Sequence, residues 1–335
     1  MKNKVFFIAE ISANHCGNFK LAKKLIKCAY VNGADAVKLQ TYTANTMTLK
    51  SDKKYFKIKQ GLWKGYTLWD LYNKAHTPLK WHKELFKYGK SLGIKVFSTP
   101  FDDTAVDFLE KLKCPIYKIA SFEITDFSLI KEVSKTKKPL IISTGLSNLK
   151  EIEETMNFAK KCGIKEIALL YCVSSYPAND DDFNLKNIQI LKNKYNCEIG
   201  FSDHSNNDEI AKLAFSLGAT IFEKHIALEN QKKGFDIKFS LKGKQIKNFK
   251  NKLLNVEKLI GKKKFIRKKN EMENLKFRRS IYSIKKIKKG EKFSKENIKC
   301  IRPASGLNPK YFFKLLGKKC KKTIKEGMPL NKSFF

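Results

Sequence analysis

Arginine is nearly missing from this chain. Of 69 lysine and arginine residues in 335, four are arginine: Arg267, Arg278, Arg279 and Arg302, all beyond residue 260. Any planar, bidentate grip on a carboxylate, phosphate or amide must therefore come from the C-terminal part. Histidine is as scarce, with five residues. None of the eight cysteines forms a C-x-x-C pair, which excludes a zinc ribbon and a dithiol redox motif and predicts free thiols. No apolar run reaches the ~18–20 residues that span a bilayer. The opening MKNKVFFIAEISANH is interrupted by Glu10 and has no small-residue cleavage site, so a first strand is expected there and not a signal peptide. A cytoplasmic chain with no membrane partner follows.

Acidic residues are also few. There are 32, which leaves a formal net charge of +37. That excess suggests nucleic acid, but clustered charge is the footprint of such binding. Here the lysines are spread along the whole chain, without an arginine block or a recognisable motif. No nucleic-acid partner is expected, although the field suits the steering of anionic substrates.

What is present is a regular alternation. Short apolar runs at 5–10, 36–40, 95–99, 116–121, 140–145, 167–172, 198–203 and 220–225 predict strands. Helical periodicity lies between them, at 19–32, 80–92, 103–112, 127–135, 148–162, 185–194 and 207–217, with a last helix at 244–260. Gly33, Gly93, Gly163 and Gly218 follow helices at C-cap positions. Continuous apolar strands alternating with helices argue for a parallel sheet. Eight units in about 260 residues give the count and size of a (β/α)₈ TIM barrel, an α/β fold. An open sheet is disfavoured because no Gly-rich nucleotide fingerprint follows any strand. Residues 41–79 form one long loop at the barrel mouth, and long loops in compact domains are usually functional. The texture changes after residue 260. Residues 261–279 predict a charged linker, and 280–335, with short β-branched runs, a small β-rich domain. It contains two similar phrases, IKKIKKGEKFSKENI and KKTIKEGMPLNKS.

In a barrel of this kind the site is built at the C-terminal ends of the strands. Those ends carry Glu10, Lys38 with Gln40, Ser98 with Thr99, Lys118 with Ser121 and Glu123, Ser143 with Thr144, Ser174 with Tyr176, Ser202 with His204, and Glu223 with His225. Two lysines inside apolar strands of one barrel repel each other and require an anion between them. Thr99, Ser121 and Ser143 are hydroxyl donors suited to phosphate or carboxylate oxygens, so the substrate is expected to be phosphorylated or carboxylated. His204 and His225 close neighbouring strands and can bind one divalent ion with open positions left over. Two imidazoles plus oxygen ligands suit Mn²⁺ or Mg²⁺ as well as Zn²⁺. His15 is either a site residue or an orienter of its loop. His76 and His82 are expected at the surface or in loops.

These residues stand in motifs that resemble, in order and spacing, the sialic acid synthase family: IAEISANHCGN, GADAVKLQTY, FSTPFD, YKIASFEITD, IISTGLS, YCVSSYPA, GFSDHS and EKHIAL. RRSIYSIKKIKKGE, IRPASGL and GMPL resemble its antifreeze-like (SAF) domain, so residues 1–260 are expected to be the synthase barrel and 280–335 the SAF domain. The long loop and the FRRSIY segment are most similar to the pseudaminic acid branch. The resemblance implies a transferase that condenses phosphoenolpyruvate with the open-chain aldehyde of an acetamido sugar, in that branch 2,4-diacetamido-2,4,6-trideoxy-altrose. It implies that Lys38, Thr99, Lys118, Ser121, Ser143, Ser174 and Ser202 hold phosphoenolpyruvate. His204 and His225 bind the metal, Mn²⁺ or Mg²⁺. Glu10, with Glu223 as second choice, handles water. Gln40, Glu123, Tyr176 and Asp236 face the sugar. Arg302 reaches an acetamido group across a domain-swapped homodimer. Two departures stand out: GFD at 234–236 where the family has Gly-Pro-Asp, and Ser174 where it has asparagine. The alternatives are an N-acetylneuraminate or legionaminate synthase, a basic nucleic-acid-binding protein, and an SAF carbohydrate-binding module on a dead barrel. The last requires missing site residues, and none of the main ones is missing.

Overall fold

The computed structural model describes residues 5–261 and 264–335. Residues 1–4, at the head of the opening segment, and 262–263, inside the expected linker, lie outside them. The chain divides into two compact units, Met1–Gly261 and Lys262–Phe335.

The first unit is a closed parallel barrel. Its strands are β1 (Phe6–Glu10), β2 (Ala36–Thr41), β3 (Lys95–Pro100), β4 (Tyr117–Ile119), β5 (Leu140–Ser143), β6 (Ile167–Cys172), β7 (Glu198–Asp203) and β8 (Ile221–Ala227). Each pairs with the next, and β1 pairs with β8 to close the ring. The outer helices are α1 (Phe19–Val31), two short elements α2 (Ala44–Met47) and α3 (Leu68–Ala75), then α4 (Leu79–Leu92), α5 (Asp103–Lys111), α6 (Phe127–Lys135), α7 (Leu149–Lys161), α8 (Lys186–Lys194), α9 (Asp208–Ser216) and α10 (Gln245–Ile260). A two-residue strand, β9 (Leu241–Lys242), extends β8. No described helix is long and apolar enough to cross a membrane.

Local chemistry starts these helices where the sequence places polar residues. Asn18, Thr43, Thr67, Asp102, Asp126, Asn148 and Asn207 each accept a backbone N–H at an N-cap. Asn148 and Glu151 form a full capping box. The strands are buried on both faces, as helices outside and side chains inside a barrel require. The long segment 41–79 carries α2, a 3₁₀ turn at Lys54–Phe56 and α3, so it is not the structureless loop its composition suggests.

His82 also departs from expectation. It lies on the inner face of α4 with Leu85 and Gly89 and is fully buried. Its Nε2 is 2.9 Å from Thr41 Oγ1 and its Nδ1 3.3 Å from Pro78 O, so both ring nitrogens are used inside the fold. Burial lowers its pKa to about 4, which keeps it neutral.

In the second unit, Lys269–Met272 is a short helix and Glu273–Phe277 a 3₁₀ turn, both within the segment expected as linker. Beyond them β10 (Ser280–Ser283) and β11 (Ile298–Ile301) pair antiparallel. A small core of Ile281, Ile287, Phe293, Ile298, Leu315, Cys320, Ile324 and Leu330 lies behind them. The two similar phrases meet here. Ile287 and Ile324 exchange both backbone hydrogen bonds, at 2.9 and 2.8 Å. The amide of Gly290 donates to Cys320 O, and that of Gly327 to Ser283 O, in matching positions. All eight cysteines are free thiols.

Candidate active site

Alternation along the strands sends one set of side chains into the barrel. Lys38, Thr99, Lys118, Ser143, Ser202 and Glu223 are nearly or wholly buried, as is Glu10 at the end of β1. They form one connected cluster. Lys38 Nζ lies 2.5 Å from Glu10 Oε2 and donates to Thr99 Oγ1 at 3.1 Å. Lys118 Nζ donates to Ser143 Oγ at 2.5 Å. Glu223 Oε1 stands between the two ammoniums, 3.6 Å from Lys38 and 3.7 Å from Lys118, and accepts from Ser202 Oγ at 3.1 Å.

This corrects one step of the sequence argument. The anion that separates the lysines is part of the protein, so the pair does not of itself require a bound one. Two carboxylates face two ammoniums, and burial and these charges together set how Glu223 and the lysines titrate. Burial opposes charge on Glu223, but Lys118, Lys38 and His225 outweigh it and hold its pKa down to about 2. Glu223 is thus held in its charged form. Lys118 is lowered, by burial first, with only partial relief from Glu223. Burial presses on Lys38 too, yet Glu10 and Glu223 raise it. Lys118 is the ammonium with the weaker internal partner.

The hydroxyl cluster continues at the ends of β4 to β6. Ser121 Oγ is 3.0 Å from Cys172 Sγ, which is 3.7 Å from Ser174 Oγ. They crowd Gly145, where a Cβ would come within 2.2 Å of Ser174 Oγ and 2.8 Å of Ser121 Oγ. Only glycine leaves room for these groups together. Gln40, near the end of β2, and Glu123, beyond the end of β4, are half-buried. Glu123 Oε2 is buried without a hydrogen-bond partner, and burial raises its pKa to about 7.

A second cluster lies at the ends of β7 and β8. The rings of His204 and His225 are 5.6 Å apart between centroids. His204 Nδ1 is 3.0 Å from Val173 O, where it acts as donor, so Nε2 is left with its lone pair. Burial, then the neighbouring His225, lowers its pKa to about 3. His225 Nδ1 is buried with no hydrogen-bond partner. The nearest carboxylate oxygen, Asp236 Oδ2, is 3.6 Å away, too far for a hydrogen bond but close enough for its charge to be felt. Two neighbouring imidazoles, each with a ring nitrogen not hydrogen-bonded to the protein, fit a divalent ion. Among the described residues no three His, Cys, Asp or Glu side chains close a cage by themselves.

Aromatic rings wall this cluster. Tyr176 packs 4.5 Å from His204 and 5.8 Å from Trp63 of the long segment. Phe239 packs 4.9 Å from His225. Trp63 Nε1 also donates to Phe235 O at 3.4 Å, which ties the segment to the loop carrying Asp236. His15 resolves as an orienter. It is buried, its Nδ1 accepts the Gly17 amide at 3.2 Å, and its Nε2 is 3.1 Å from Thr77 Oγ1. Arg302 follows β11 in the second unit and is exposed.

Several residues were not singled out by sequence. Trp63 and Phe239 gave no signal beyond being aromatic. Asp203 and Lys224 face outward from β7 and β8 and form a buried pair at 2.8 Å. Strict alternation from Ser202 and Glu223 points to them. Asn14 lies inside a quoted motif but has no charge to draw notice.

Comparison with known proteins identifies the family of both parts of the chain. The NeuB family profile matches residues 25–265 and the SAF domain profile residues 278–335. The chain is 43% identical over 332 residues to the pseudaminic acid synthase of Campylobacter jejuni (serotype O:2), covering 99% of this chain and 97% of that one. It is 38% identical over 327 residues to the N,N'-diacetyllegionaminic acid synthase of the same organism, covering 96% and 98%. Among solved structures, an N-acetylneuraminic acid synthetase from Leptospira borgpetersenii superposes with a TM-score of 0.73 at 32% identity, covering 82% of this chain and 90% of that one.

Proposed function

The chain belongs to the NeuB family and ends in a SAF domain, and from that premise we propose that it is a pseudaminic acid synthase. In this reaction C3 of phosphoenolpyruvate forms a carbon–carbon bond to the aldehyde carbon of open-chain 2,4-diacetamido-2,4,6-trideoxy-altrose. Water adds at C2, the C2–O bond breaks and phosphate leaves. The product is a nine-carbon 2-keto acid. The observation that carries this reading is the buried centre of Glu10, Lys38, Glu223 and Lys118 beside the two imidazoles of His204 and His225 at the ends of β7 and β8. The choice of sugar rests on higher identity to the pseudaminic than to the legionaminic enzyme at nearly equal coverage.

Lys118 is the ammonium best placed to meet the incoming phosphate or carboxylate, because its one close partner is the neutral Ser143. Lys38 and Thr99 supply a second positive corner, and Ser121, Ser174 and Ser202 supply hydroxyl donors. Glu10, wholly buried and paired with Lys38, orients the water. Glu223 keeps the lysines apart and stays ionised. Gln40, Glu123, Tyr176 and Asp236 face the sugar, with Glu123 able to hold or release a proton near neutral pH. His204 and His225 hold a divalent metal, Mn²⁺ or Mg²⁺, which when bound supplies Lewis acidity toward the aldehyde oxygen.

The working form is a cytoplasmic homodimer in which residues 280–335 of one copy serve the other's barrel and bring Arg302 to an acetamido group. Exposed Leu49, Phe122 and Leu146, on segments after β2, β4 and β5, support an apolar contact around the mouth. The test is a panel of acetamido sugars with phosphoenolpyruvate and Mn²⁺, scored by phosphate release and by mass and NMR of the product. Turnover of the altro sugar with a pseudaminic acid product is expected. Preference for a gluco- or manno-configured sugar would reassign the branch.

A further inference from the structure

One buried junction has no part in the chemistry just described. Asn14 is fully buried in the 3₁₀ turn Ser12–His15 that follows β1. Its side chain is used entirely on the far end of the barrel sequence. Nδ2 donates to Ile226 O and to Ser240 Oγ, both at 2.9 Å. Oδ1 accepts the amide of Asp236 at 3.1 Å. Ser240 Oγ in turn donates to Asp236 O at 2.6 Å. Both backbone polar groups of Asp236 are therefore held in one cycle with Asn14, and the same amide grips the residue next to His225.

Two further features show how much depends on that cycle. Gly234 passes so close that a Cβ there would lie 2.4 Å from Asn14 Oδ1. Behind the loop lies a cavity of about 510 Å³, bordered by Ile237, Lys238 and Ser240 on the loop side and by Lys224 and Asn248 opposite. Packing holds Phe239, which is buried against His225. The Asp236 backbone is held by hydrogen bonds, its amide to Asn14 Oδ1 and its carbonyl to Ser240 Oγ.

We infer that Asn14 is a positioning residue: by fixing the Asp236 backbone it keeps that carboxylate's charge 3.6 Å from His225 Nδ1, beside the two imidazoles. Outer-shell groups beside metal-ligating histidines support binding, and their loss weakens it about 10–100-fold. This inference rests on the metal reading of His204 and His225.

The test uses full-length, metal-stripped protein. Mn²⁺ is titrated by calorimetry into wild type, Asn14→Ala, Asp236→Asn and the double variant. Amide hydrogen exchange over residues 232–240 is followed without metal. Asn14→Ala is expected to weaken Mn²⁺ binding about 10-fold and to speed exchange in that segment. The double variant should bind no more weakly than the worse single variant, because both act through one contact. Ser240→Ala opens half of the cycle, keeps the Asn14–Asp236 bond, and should give a smaller change of the same kind. It decides the matter if Asn14→Ala does not fold. Losses that multiply in the double variant, or unchanged exchange in Asn14→Ala, overturn the inference. If wild type itself binds no divalent ion, the metal reading fails, and faster exchange over 232–240 still upholds the anchoring of Asp236.

Discussion

Replacing Glu223 by glutamine removes one charge and little volume. The new amide can still accept from Ser202. What disappears is the carboxylate oxygen 3.6 Å from Lys38 Nζ and 3.7 Å from Lys118 Nζ. At an effective dielectric of about 20, unit charges at that separation are worth roughly 4.5 kcal/mol. Lys38 retains Glu10 at 2.5 Å, whereas Lys118 retains only a hydroxyl. The cost therefore falls on Lys118. Breaking one partner out of a buried pair costs about 3–5 kcal/mol, in line with the Coulomb figure. The Tm should fall by roughly 5–15 °C near pH 7.

The pH dependence has a definite sign. Lys118 has a folded pKa below its ordinary 10.5, and the substitution lowers it further. Between the folded and unfolded values the unfolded chain binds more protons, so stability rises with pH there. The destabilisation is fully present on the acid side of the folded pKa and shrinks as Lys118 loses its proton. Phosphate or phosphoenolpyruvate restores a negative charge, so either should raise the Tm of the variant more than that of wild type. Melts from pH 6 to 9, with and without phosphate, measure all three effects. A variant within about 1 kcal/mol of wild type at pH 7, or one equally destabilised at every pH, would refute the account of Glu223 as separator of the lysines.

Three other outcomes are expected. Glu123→Gln removes a carboxyl raised by burial from 4.5 to about 7; wild type loses stability as pH climbs between those values, so the variant should melt higher above pH 7, by about 1–3 kcal/mol after solvent screening, and a variant no more stable than wild type at pH 8 contradicts it. His204→Ala or His225→Ala should abolish metal-dependent turnover with the fold retained by circular dichroism; activity unchanged after metal depletion of either variant removes the metal assignment. Arg302→Ala should raise the KM for the sugar more than that for phosphoenolpyruvate, and equal effects in steady-state kinetics place Arg302 outside the sugar site.

The barrel was legible because its strands are continuous apolar runs and its helices carry polar caps. Observed elements start and stop within a few residues of the expected ones. β4 is the largest shortfall, since the chain leaves the sheet at Ala120 to make the 3₁₀ turn Ser121–Glu123. The short helices within 41–79 were hidden by a charged composition. His82 was misplaced although its helix was found. Its spacing to Leu85 and Gly89 puts it on the inner face, and periodicity outranks the polar character of one residue. Strand ends pointed to the side chains that meet in the buried cluster but not to their partners. That Glu223 reaches both lysines depends on the register of β8 against β1 and on side-chain length, neither of which the order of residues reveals. Asn14 escaped because a neutral amide has no charge or metal chemistry to betray it.

The paired phrases of the second unit have a further consequence. Each supplies the other's hydrogen bonds: Ile287 with Ile324, Gly290 with Cys320, Gly327 with Ser283. Phe293 N donates to Lys318 O, as Leu330 N donates to Ile281 O. Neither half completes its own edge or its own core, so the two arms must order together, in one cooperative step. A fragment holding a single arm presents an open backbone edge with an isoleucine at its centre.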